Sequence, residues 1–231
     1  MTVLVLRLRA PMQSWGSRSR FVRRETEPLP TKSGMVGLLA AAQGRRRTDP
    51  IEDLVGLRMA ARADQPGRII RDFQTAHERL GKSMPLTTRY YLADAVFTAY
   101  VEAPAAVVEG LAEAIQRPTY PLYLGRRSCP PSAPILLDIV EAPIADTISA
   151  TRWLADDYHR RAYRGAIVTL DVQADADVYP DRLVRRQLQD SPLSFDPTRR
   201  DYGMRSVVDT QVSIPHPEVA SPQAAHDPMG V

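Results

Sequence analysis

The chain opens on an alternation of apolar positions. In Thr2–Arg9, Val3 and Val5 interleave with Leu4, Leu6 and Leu8, and arginine enters at positions 7 and 9. That pattern predicts a strand buried at its start and exposed at its end. From Thr31 the period lengthens: Met35, Leu38, Leu39 and Ala42 fall on one helical face, Gly44 stands where a C-terminal cap belongs, and the arginines at 45–47 suit the negative end of the helix dipole. Residues 57–76 read as a hairpin of two strand-like runs around Asp-Gln-Pro-Gly. A polar segment follows, and 89–102 then reads as a single strand with Ala95, Phe97, Ala99 and Val101 on one face. Pro104 opens a helix carrying Val107, Val108, Leu111 and Ile115. Residues 120–125 and 135–140 complete the set as two short strands.

Strand, helix, strands, helix, strand is the outline of a ferredoxin-like arrangement, with one strand left unplaced. The expected class is therefore α+β. Residues 1–145 form its core and 146–231 an extension of less regular pattern. In the extension, 167–172 predicts a strand, 181–189 a short helix, and 214–231 a proline-rich tail with little to pack.

Composition narrows the class. At 231 residues, 44% hydrophobic and 25% charged, the chain is that of a globular protein. No apolar run approaches the roughly 20 residues of a membrane-spanning helix, and the arginine-interrupted start does not read as a signal peptide. A lone cysteine, Cys129, excludes an intramolecular disulfide and a cysteine-based zinc cluster, and the expected compartment is a reducing cytoplasm.

Net charge is only +3, but residues 1–47 hold nine arginines and Lys32 against Glu25 and Glu27. Every other cation of the chain is arginine except Lys82. One reading is a GC-rich genome that writes arginine wherever a cation will do. The other is phosphate recognition, which the clustering at one end favours, because the planar guanidinium fork suits a phosphate better than a point charge does.

The segment 11–34 concentrates the chemistry. Thr31, Lys32 and Ser33 stand at the mouth of a helix, where unpaired backbone N–H groups and the dipole favour an anion. Upstream, Arg18, Arg20, Arg23 and Arg24 supply guanidinium groups, and Trp15 and Phe21 offer flat faces for unstacked bases. Trp15 equally reads as a core residue. A Gly-Lys-Ser at 81–83 lacks the first glycine of a phosphate-binding loop, Ala76 standing in its place. His77, His159, His216 and His226 show no metal-ligand spacing, and Asp171, Asp175, Asp177 and Asp181 lack the glycine and terminal glutamate of a calcium loop. Both sets read as surface residues. Gly125 with Arg126 and Arg127 forms a turn whose backbone could approach a phosphate.

Taken together, 10–16, 30–44, 71–76, 89–98 and 120–130 resemble the Cas five (CasD) family of RAMP proteins, subunits of the type I-E CRISPR surveillance complex Cascade. The resemblance covers residues 1 to about 140 and fades beyond 145. It implies a ferredoxin-like RAMP core with a projecting β-hairpin thumb at about 77–88. It further implies a non-catalytic subunit, without metal or cofactor, that grips the 5′ handle of the CRISPR RNA. Its partners would be CasC-type backbone subunits and a CasA-type large subunit, with target DNA met through the assembled complex and no membrane involved. The residues it assigns to RNA are Gln13, Ser14, Trp15, Ser17, Arg18, Arg20, Phe21, Arg23, Arg24, Thr31, Lys32, Ser33, Arg45, Arg79, Lys82, Gly125, Arg126 and Arg127. Two rival readings stand: a metal-independent endoribonuclease of repeat RNA, as in the type I-C relative, with a general base and acid near His77 or a tyrosine, and a generic single-strand binder with no handle preference.

Overall fold

A computed structural model describes residues 1–16, 23–75, 86–183 and 185–217. Helix and strand are mixed, and sheet dominates. In chain order the elements are β1 (Thr2–Arg9), β2 (Met12–Gln13), β3 (Arg23–Arg24), α1 (Lys32–Ala42), α2 (Glu52–Val55), β4 (Arg58–Gln65), β5 (Arg68–Gln74), β6 (Thr87–Ala93) and β7 (Val96–Ala103). They continue as α3 (Ala105–Gln116), β8 (Leu136–Val140), α4 (Ile144–Ala150), α5 (Asp157–Ala162), β9 (Ile167–Asp175), β10 (Arg186–Ser194) and β11 (Asp201–Pro215).

Seven strands form one antiparallel sheet in the order β10-β11-β9-β4-β7-β1-β8. Its two faces explain the opening alternation. Leu4, Leu6 and Leu8 of β1 pack with Phe97 and Val101 under Val36 and Leu39 of α1 and Val108 and Leu111 of α3. Val3 and Val5 pack on the opposite face with Tyr100, Val172 and the α4 residues Ile144 and Ile148. A central strand covered on both faces must be apolar at nearly every position, and arginine enters only where β1 reaches the sheet margin. The strands of the extension, β9, β10 and β11, continue the sheet that β1 begins.

The second sheet is small: β6 carries β5 along one edge, and β2 and β3 along the other. Here the structure corrects four expectations. The runs within 57–76 are strands, but they are not a hairpin. β4 is buried along almost its whole length and enters the large sheet, whereas β5 is half-exposed and pairs with β6. Gly67, at φ +72, makes the turn between them, and a Cβ there would lie 2.5 Å from the Ala93 carbonyl oxygen. The single strand expected at 89–102 is two, broken at Asp94 with φ 57.

No strand forms over 120–125, because Pro121 has no N–H to give and Gly125 adopts φ +86. The helix expected at 181–189 does not form: from Arg186 the chain is β10, whose inward positions are Leu188, Asp190 and Pro192. The hairpin stem β5–β6 is described, but its connection at 76–85 is not, so most of the thumb segment, with His77, Arg79 and Lys82, lies outside the described residues.

Candidate nucleic-acid interface

The mouth of α1 is capped by its own threonine: Thr31 Oγ1 accepts from the Gly34 N–H at 3.2 Å. The remaining chemistry differs from expectation. The Lys32 backbone N–H donates to Asp190 Oδ2 at 2.8 Å, so a protein carboxylate from β10 occupies the anion position. The Lys32 ammonium turns inward and donates to Asp175 Oδ2 and to the Leu57 carbonyl, both at 3.0 Å. Arg205 of β11 closes the circuit, bonding Asp190 at 2.6 and 2.9 Å and Asp175 at 2.6 Å. Burial alone would lower the Arg205 guanidinium, but the two carboxylates outweigh it and hold it above its ordinary value. Lys32 is therefore a buried structural cation and not a phosphate contact. Asp175, expected at the surface, is buried here too.

Trp15 also belongs to the core, at 1% exposure. Its ring lies against α1 where Gly34 leaves room; a Cβ on Gly34 would sit 2.6 Å from the ring. Trp15 Nε1 donates to Gln13 Oε1 at 3.2 Å, and Gln13 Nε2 donates to the carbonyls of Leu8 and Ala95. Ser14 Oγ donates to the Tyr90 carbonyl. These side chains hold the loop to the two sheets and leave no ring face for a base. Trp15→Ala should cost about 3–5 kcal/mol of stability, read as a lowered melting temperature. A variant that melts like the parent and loses only RNA affinity would instead make Trp15 a stacking platform.

Above this floor lies a cleft of about 1180 Å³. Its walls are the outer face of α1 near Gly37 and Ala41, the loop 120–126, and the β10–β11 connection with Phe195, Arg199 and Arg200. A Cβ at Gly37 would make an ordinary contact with the Phe195 ring, at 3.7 Å, so Phe195 stands directly over this part of α1. Arg24, Arg45, Arg46, Arg47 and Arg126 also reach the cleft. Arg45 is held by Asp53, two contacts of 2.5 Å each, and this hydrogen bonding raises its pKa above the ordinary value. Arg46 and Arg47 are exposed.

Arg126 is committed to the fold: its guanidinium donates to the carbonyls of Tyr90, Arg24 and Glu25 and stands 4.6 Å from the centre of the Tyr91 ring. Arg23 pairs with Glu25 at 3.1 Å and lies over Tyr90. Gly125 brings its backbone close to a protein group, the Ser14 carbonyl, where an added Cβ would come within 1.6 Å of the oxygen.

Of the residues singled out in the sequence, Ser14, Trp15, Arg24, Thr31, Ser33, Arg45, Gly125 and Arg126 line the cleft. Gln13, Arg23, Lys32 and Arg127 do not line it, and Ser17, Arg18, Arg20 and Phe21 lie outside the described residues. Arg46, Arg47, Arg199 and Arg200 were missed as site residues. The Arg-Arg pairs at 46–47 and 199–200 were the available signal. His216, expected at the surface, is buried among Trp153 and Tyr163. Among the described residues no group of three or more His, Cys, Asp or Glu side chains could hold a metal ion, and no helix is long and apolar enough to cross a membrane.

A sheet-dominated fold with this arginine-lined cleft has a recognisable class. The family of CRISPR-associated Cas5 proteins (Cas_Cas5) matches residues 3–208, and the chain belongs to it. Within that class the chain is similar to the CRISPR system Cascade subunit CasD of Escherichia coli (strain K12), with 36% identity over 165 residues, 60% of this chain and 71% of the relative. Its fold is similar to a chain of a solved CRISPR RNA-guided surveillance complex, with TM-score 0.75, 34% identity and coverage of 96% of this chain and 95% of that one. A crystal structure of a Cas protein aligns with TM-score 0.71 and 35% identity over 92% of this chain and 97% of that one.

Proposed function

We propose that this chain is the Cas5 subunit of a type I-E Cascade complex that holds the 5′ handle of the CRISPR RNA in the arginine-lined cleft. The observation that carries the reading is the cleft itself: about 1180 Å³ of groove edged by Arg24, Arg46, Arg47, Arg199 and Arg200, in a chain of this family. Guanidinium groups along a groove neutralise a single strand's phosphates. The ferredoxin-like core of the family corresponds to β1, α1, β4, β7, α3 and β8, whose four strands stand in the order β4-β7-β1-β8. The β5–β6 stem then corresponds to the base of the thumb.

In this reading the subunit joins CasC-type backbone subunits to a CasA-type large subunit and meets target DNA through the assembled cytoplasmic complex. It holds RNA without cutting it and uses no metal or cofactor. The test is to titrate labelled repeat RNA with the full chain, or with reconstituted complex, over a salt series in EDTA. Arg46→Gln with Arg47→Gln should lower the slope of log affinity against log salt by about 1.4, two contacts at about 0.7 each for a single strand. An unchanged slope and affinity would overturn the cleft as the RNA site, and cleavage products in EDTA would overturn the holding role.

A further inference from the structure

One end of the cleft has a more particular character than its walls. In the parallel pair of β3 and β6, Arg24 lies beside Arg89. Arg126 reaches over both strands, bonded to the carbonyls of Arg24 and Tyr90, and Arg200 approaches from the connection into β11. Of the carboxylates at this end, Glu25 pairs with Arg23. Asp72, opposite Arg89 in the β5–β6 pair, accepts from Gln74 at 2.7 Å. Arg89 Nε is buried and makes no hydrogen bond. Among the described residues neither Arg24 nor Arg89 has a carboxylate within ion-pair distance. The Arg24 guanidinium is drawn below its ordinary value, by burial first and then by the charges of Arg89, Arg126 and Arg200. Among the described residues Arg24, Arg89 and Arg126 are like charges gathered with no carboxylate paired to them, and an anion placed among them offsets their repulsion.

We propose that Arg24, Arg89, Arg126 and Arg200 form a discrete phosphate site that fixes one phosphate of a single-stranded RNA at the β3–β6 end of the cleft. The proposal rests on the reading of the cleft as an RNA site. Arg24 and Arg200 line the cleft and reach the phosphate oxygens. Arg126, bound to carbonyls, holds the Arg24 main chain and contributes its field, and Arg89 backs the site from β6. The shared chemistry is a phosphate, which an internal phosphodiester or a 5′-terminal monoester can both supply.

The experiment uses the full chain and single-stranded repeat RNA in which one neutral methylphosphonate linkage is moved along the strand, with 5′-hydroxyl and 5′-phosphate versions. In the parent, neutralising one linkage should weaken binding by at least about tenfold, the loss of a charge-assisted contact. In Arg24→Gln the same linkage should have no further effect. Coupling to an internal linkage identifies a phosphodiester, and coupling to the 5′-phosphate identifies the terminal group. Arg24 is exposed, so its variant should fold; Arg89→Met, checked by thermal melting, should reproduce the loss. If every linkage and the 5′-phosphate act additively with Arg24→Gln, the site is overturned. If Arg46→Gln with Arg47→Gln still weakens binding in that case, the cleft reading stands without it. If no variant affects binding, both fail.

Discussion

Asp190→Ala should lower the melting temperature of the chain by about 6–20 °C. Asp190 is fully buried, accepts the first backbone N–H of α1 at 2.8 Å, and receives two bonds from Arg205. Removing it leaves the Arg205 guanidinium, only 10% exposed, half-paired. Removing one partner of a buried ionic group costs about 3–5 kcal/mol, and in a chain of this size each kcal/mol moves the midpoint by about 2–4 °C. Asp190→Asn keeps an acceptor for the Lys32 N–H but loses the charge, and should fall between the two. A melting curve for Asp190→Ala within 2 °C or so of the parent would mean that β10 does not brace the helix.

Gly125→Ala should be nearly as damaging. The residue sits at φ +86, and the added methyl would lie 1.6 Å from the Ser14 carbonyl oxygen, a backbone atom that cannot swing aside. Strain at such a position together with displacement of the loop should cost about 3–5 kcal/mol. Because the displaced loop carries Arg126, the three carbonyl bonds that tie it to β3, β6 and Glu25 go with it. RNA affinity should therefore fall along with stability. Gly110→Ala is the control: the position lies inside α3 and its added Cβ meets nothing within 4 Å. That change should stabilise by about 1 kcal/mol through helix propensity. Equal melting temperatures for the two variants would sink the steric account.

The regular elements nearest the start were legible because their periods are unbroken. β1 alternates between two apolar faces, α1 repeats Met35, Leu38, Leu39 and Ala42 after a threonine cap, and α3 follows Pro104 as a proline at a helix start suggests. The site was legible only in part, and the failures share a cause. Lys32 reads as a ligand-facing cation until Asp175 arrives from 143 residues away. Trp15 sits in a loop, where burial leaves no periodic trace. β10 hides its alternation because one of its inward residues is an aspartate and another a proline. The arginines at 199–200 join the cleft through a strand pairing that the local pattern around them does not announce.

The carboxylate seated on α1 also has a meaning in time. Lys32 and Asp190 are 158 residues apart, so a ribosome adding about 5–20 residues per second delivers the second roughly 8–30 s after the first. Through that interval α1 has its threonine cap but not its anion, Lys32 waits 143 residues for Asp175, and Arg205 arrives later still. The large sheet, too, lacks β9, β10 and β11 until residues 167–215 have been made. The step that locks the helix therefore comes late, and a chain stalled before β10 presents an open, cationic helix end to whatever anion is at hand.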